Sequence, residues 1–161
     1  NIMPTAKQAT RVRLLMVFSL VLILFFGKLA YNTANDTYKK ENPGADDMSL
    51  MKFLNSGIDN PSLKTILVGM SSGMVFGFID NAGLFFGMDA LDPYLPGGPL
   101  TKAGYGNTYS DALGSFLSVF VGNLIQKSTG IDNTPMWSES VGIIVGCLFG
   151  IYIPRMLTGK K

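Results

Sequence analysis

From Leu14 to Phe26 every side chain but Ser19 is apolar, and such a run has few places to go. Inside a bilayer every backbone N–H and C=O must be satisfied within the segment, so an apolar stretch of about 20 residues reads as a membrane-crossing helix. Three further stretches approach that length. The pattern predicts four transmembrane helices, at about 12–31, 63–88, 106–125 and 138–157. The expected fold class is all-α, a polytopic membrane protein with glycine-rich packing faces. Composition agrees: 47% of the 161 residues are hydrophobic and 15% charged, too little charge to cover a soluble domain.

The chain reads as one membrane domain over 1–161. It comprises a peripheral anchor helix at 12–31, a polar loop at 32–62 and a three-helix core at 63–157. Arg11 and Arg13 precede the first run as they would in a signal peptide. No small-x-small exit follows, so the run reads as a retained anchor. The chain opens on Asn1 rather than Met, which leaves room for targeting residues upstream. Within the loop, Met48–Leu54 fits either a short amphipathic helix on the membrane surface or a solvated turn. Asn60-Pro61 and Thr134-Pro135 supply an N-cap and a first-turn proline for the second and fourth helices. Asp92 to Pro99 is a turn-rich link. Tyr31, Tyr105, Tyr109 and Trp137 fall where an interfacial aromatic belt would lie. Four spans put both termini on one side, with Lys7, Arg11, Arg13, Lys102, Arg155, Lys160 and Lys161. The positive-inside rule favours that orientation.

Several function classes drop out. There is no His, so a histidine metal site and a Ser-His-Asp triad are excluded, and the lone Cys147 excludes a disulfide framework. No nucleophile–base pair, phosphate-binding loop or nucleic-acid motif is discernible. Neither an enzyme nor a cofactor is expected. The expected partners are the lipid bilayer and neighbouring subunits of an assembly, met through the 32–62 loop and the basic termini. A homo-oligomer would suit the small volume that four helices enclose.

Two acids interrupt the apolar pattern. A carboxylate near the centre of a spanning helix costs roughly 2.5–3.5 kcal/mol on insertion scales, so Asp80 and Asp111 need a partner or a purpose. At about 100° per residue, Gly69, Gly73, Asp80, Gly83 and Gly87 share one face of the second span. Asn107, Asp111, Gly114, Ser118 and Gly122 share one on the third. Gly142, Gly146 and Gly150 repeat on the fourth, one turn beyond Glu139. Gly77 joins this set of packing positions. Small residues at such spacing let helix backbones approach closely, so the acids are expected to face neighbouring helices. Counting from the helix ends puts Asp80, Asn81, Asn107 and Asp111 at one level, with Arg155 as a possible charge partner. This cluster is either a cation or proton site, with no dedicated metal cage, or a buried network that sets helix register.

The residues Gly77-Phe-Ile-Asp80-Asn81-Ala, Gly106-Asn107-Thr-Tyr-Ser-Asp111-Ala-Leu-Gly114 and Val141-Gly-Ile-Ile-Val-Gly146-Cys147-Leu-Phe-Gly150 resemble the transmembrane protein 65 family over about 77–157. The resemblance implies a mitochondrial polytopic membrane protein associated with sodium–calcium exchange, with Asp80, Asn81, Asn107 and Asp111 as the matched polar positions. The chain departs from that family in its N-terminus, which has no transit-like stretch, and in its Pro-Gly-rich second connection. Around Asp80 to Asp111 the texture is also similar to multi-span inner-membrane and minor capsid proteins of large icosahedral DNA viruses. That similarity implies a structural role in a virion internal membrane. The expected function is a structural membrane protein anchoring a capsid or scaffold, with cation transport through the carboxylates as the alternative.

Overall fold

The structure, a computed structural model, describes residues 5–159. Five α-helices account for most of them: α1 (Ala6–Glu41), α2 (Leu50–Leu54), α3 (Leu63–Leu91), α4 (Pro99–Thr129) and α5 (Met136–Thr158). A 3-10 turn at Asp92–Tyr94 joins α3 to α4. No strand occurs among the described residues. Three helices are long and apolar enough to cross a bilayer: α1, α3 and α5. They are compatible with an integral membrane protein. The expected four spans therefore reduce to three on length and composition. Helix α4 is long, but Gly, Asn, Thr and Ser dilute its apolar side chains between Gly104 and Ser110.

Contacts group the chain into two compact units that divide between Phe53 and Leu54, where the sequence reads as one domain. In the first unit α1 begins with a capping box. The Thr5 hydroxyl accepts from the Gln8 amide and the Gln8 side chain accepts from the Thr5 amide. From Val12 to Leu29 its apolar side chains stay bare, Ile23 at 68% and Phe26 at 61% exposure. That much uncovered hydrocarbon requires lipid or protein around it.

The chain then folds back on the end of α1. The Met48 amide donates to Asn35 Oδ1 at 2.7 Å, Asn35 Nδ2 donates to Asp47 Oδ1 at 2.9 Å, and the Tyr31 hydroxyl donates to the Met48 carbonyl. The Tyr31 and Phe53 rings meet edge-on at 5.4 Å. Helix α2 buries Phe53 and leaves Leu50 and Met51 exposed. Lys39 pairs with Asp47, and with the Asn35 amide it holds the Asp47 carboxyl below the usual range. A carboxyl depressed in the folded state stabilises that state above its unfolded pKa, and the contribution is lost as pH falls through the lowered value. Protection of the Met48 amide, its exchange rate taken relative to that of an unstructured amide at the same pH, should therefore fall in acid, and Asp47→Asn should remove that acid dependence. Unchanged Met48 protection from neutral to strongly acidic pH would contradict this.

The second unit is built on α3, which packs against both α4 and α5, whereas α4 and α5 touch each other little. Ser62, not Asn60, caps α3, its hydroxyl accepting from the Thr65 amide at 3.1 Å, so Pro61 precedes the cap. Pro135 occupies the cap position of α5 without a side-chain bond, and Thr134 lies outside it. Helix α4 starts with Pro99 in its first turn, well before the expected 106. Lys102 anchors the preceding turn through the Asp92 carbonyl at 2.7 Å. At the opposite end Trp137 Nε1 donates to Asn55 Oδ1 at 3.1 Å, and Asn133 Nδ2 donates to the Ser56 carbonyl at 3.0 Å.

Candidate functional site

Helix α3 presents small residues on two adjoining faces rather than one. Gly69, Gly73 and Gly77 face α5: Cβ atoms there would collide with Ser138 Oγ and with the carbonyl oxygens of Glu139 and Ile143. The fit is reciprocal. Cβ atoms on Gly142 and Gly146 would collide with the Met70 and Met74 carbonyls, and one on Gly150 would stand 2.7 Å from the Phe78 carbonyl. The matched numbers increase together, so α3 and α5 run parallel with backbones in direct contact, as small-xxx-small packing allows.

The other face meets α4 in antiparallel register. Gly106 lies against Met88 and Leu84, Ser110 against Gly83, Gly114 against Phe76, and Gly122 against Ser72. Gly87 is in looser contact, its Cβ position 4.0 Å from the Tyr109 ring. The buried stripe of α4 is thus Gly106, Ser110, Gly114, Ser118 and Gly122. Of the expected face, Gly114, Ser118 and Gly122 lie on this stripe, while Gly106 and Ser110 take the places expected for Asn107 and Asp111, which leaves Asn107 exposed and Asp111 half-buried.

Ser110, fully buried, is the centre of the polar cluster. Its hydroxyl is 2.9 Å from Asp80 Oδ1 and 3.1 Å from the Asn107 carbonyl, and it can donate to either. Asn107 Nδ2 donates to Asp111 Oδ2 at 2.7 Å, and Asp111 is near enough to Asp80 for each carboxyl to lie in the other's field. Asp80, Asn107 and Asp111 are therefore brought together with a serine that the sequence reading did not single out. Asn81 is not among them: it turns to α5, where Nδ2 donates to the Cys147 carbonyl at 3.4 Å. Nor is Arg155, which is exposed and makes no ion pair among the described residues. Five residues past Gly150, it lies about 140° round α5 from the contact line. Because α3 continues to Leu91 and α4 begins at Pro99, both carboxyls lie deeper than the sequence suggests. At 1.5 Å per residue they are about 17 Å and about 18 Å from those ends.

A second polar region lies two turns of α3 away. Ser72 Oγ donates to Glu139 Oε1 at 3.2 Å. Around them is a cavity of about 190 Å³ whose polar walls include Ser71, Gln126 and Thr134. A neighbouring hollow of about 180 Å³ adds Ser118, Val119 and Asn123 and shares Ser72, Gly122, Gln126 and Glu139. Among the described residues no group of three or more Asp, Glu, Cys or His side chains gathers as a metal cage. No protein-family model, curated protein or solved structure matches this chain.

Proposed function

We propose that the chain is a structural integral membrane protein, a rigid intramembrane element that anchors a larger assembly, such as a capsid or scaffold, to its bilayer. The observation that carries this reading is the two-sided packing of α3, glycine against carbonyl toward α5 and, toward α4, the small stripe of α4 against Ser72, Phe76, Gly83, Leu84 and Met88. Contacts of this kind gain dispersion and give up freedom of movement. Helices α3, α4 and α5 are each continuous, whereas many transporters break helices at the ion site. On this reading α4 crosses the membrane too, since it runs beside α3 from Ser72 to Met88 and must share its solvent. Four spans then place both termini on one side. The exposed charges Asp36, Glu41 and Asp46, with the bare Leu50 and Met51, offer contacts to neighbouring subunits.

A second reading rests on the approach of Asp111 to Asp80. Like charges that close repel unless a proton or cation lies between them, and cation transport would use that position. Proteoliposomes separate the two. Wild-type chain should give no sodium, calcium or proton flux above empty vesicles. Reversing these charges, two at the end of α1 and one in the loop after it (Asp36→Lys, Glu41→Lys, Asp46→Lys), should cut crosslinking to neighbouring subunits in the native membrane several-fold. Wild-type flux that disappears in Asp80→Asn and Asp111→Asn, with the helices still packed, would instead establish transport.

A further inference from the structure

Glu139 is an exposed acid at the edge of a polar cavity. It stands on the first turn of α5, two residues past Trp137, and its one hydrogen bond among the described residues comes from Ser72. No Lys or Arg pairs with it among those residues. The cavity beside it is lined by groups that can accept: the carboxylate itself, the Gln126 amide and the hydroxyls of Ser71, Ser72 and Thr134. One acid with neutral acceptors suits a singly charged cation that brings its own N–H donors. A primary ammonium has three donors and no acceptor. The space, about 190 Å³, is far larger than the roughly 30 Å³ share of one water, so it fits an organic cation better than a bare ion.

The surroundings say where that ammonium comes from. Glu139 is about 5 Å from the start of α5 and Gln126 about 5 Å from the end of α4, at 1.5 Å per residue. Headgroups lie at that depth in a bilayer. Val119 lines the mouth of the hollow, and Phe116, one turn deeper on α4, is 66% exposed. The polar space thus continues into an apolar face running toward the membrane centre. We propose that this site holds one amine-headed glycerophospholipid, its ammonium against Glu139 and an acyl chain along Val119 and Phe116. The inference uses only the bilayer placement of the proposed function, and its test reads neither flux nor assembly.

Native mass spectrometry of the full chain in micelles doped with defined lipids tests it. Phosphatidylethanolamine should be retained about tenfold better than phosphatidylcholine, because each added methyl removes a donor to a charged acceptor. The mono- and dimethylated headgroups should fall between them in order. This series on wild-type protein stands whether or not a variant folds. Glu139→Gln should lower phosphatidylethanolamine to the phosphatidylcholine level. Equal retention of the four headgroups, or an unchanged preference in Glu139→Gln, would overturn the proposal and leave Glu139 as a partner of the α5 dipole. Displacement of the lipid by free ethanolamine would overturn it in favour of a soluble amine. A carbodiimide crosslink from Glu139 to Lys28 of a second copy would overturn it in favour of a lysine.

Discussion

Gly142→Val should pull α5 away from α3. A Cβ at this position would fall on the Met70 carbonyl, with the Met70 carbonyl carbon and Cα each 2.9 Å away. Those atoms belong to the backbone of a continuous helix and cannot swing aside as a side-chain tip could. Overpacking a close-fitted site costs about 1–3 kcal/mol when side chains can absorb it. Here the helices must separate, and the neighbouring contacts at Gly73 and Gly146 loosen with them, so the loss should reach the top of that range or pass it. Trp137 is the one tryptophan and is tied to Asn55 at the same end of the unit, so its fluorescence reports the change. In a detergent-unfolding titration the Gly142→Val midpoint should fall well below wild type. Gly104→Ala is the control, since its Cβ would meet nothing within 4 Å. Equal midpoints for all three proteins would mean that the α3–α5 contact does not hold the unit together.

Apolar run length was sufficient to locate α1, α3 and α5, because each must bury a bilayer's thickness of backbone. It failed for the first turns of α4, where Gly104 to Ser110 looks interfacial yet is helical against α3. The glycine faces were legible as a set but not in their division. Successive steps of four, Gly69 to Gly73 to Gly77, advance about 40° each around a helix of 3.6 residues per turn, so that line rotates toward α5. Ser72, Phe76, Asp80, Gly83 and Gly87 mix steps of four and three and stay with α4. An average angle merges the two lines. Arg155 shows the same limit: counting residues sets its level, while its azimuth depends on which side of α5 meets α3. Ser110 was missed because a hydroxyl carries no charge signal. The available clue was its phase in the repeat Gly106, Ser110, Gly114, Ser118, Gly122.

Ser110→Leu should open the α3–α4 seam, and comparison with two milder changes tells why. Ser110 has no exposed surface, and its Cβ lies 3.2 Å from where a Cβ on Gly83 would be. A leucine there has no room, and it removes the hydroxyl within reach of Asp80 Oδ1. Overpacking and an acceptor left without its donor add to a loss on the order of 3 kcal/mol. Ser110→Ala keeps the fit and removes only the hydrogen bond. Its cost should be near the about 0.6 kcal/mol average for polar contacts between membrane helices. Asp80→Asn keeps an acceptor oxygen for Ser110 and should cost no more than that. The same detergent titration ranks the three proteins. If Ser110→Ala proves as damaging as Ser110→Leu, the hydrogen bond to Asp80 outweighs packing at this seam. If Asp80→Asn alone collapses the unit, the carboxylate charge itself is what α4 requires, and the case for an ion between Asp80 and Asp111 becomes the stronger of the two readings.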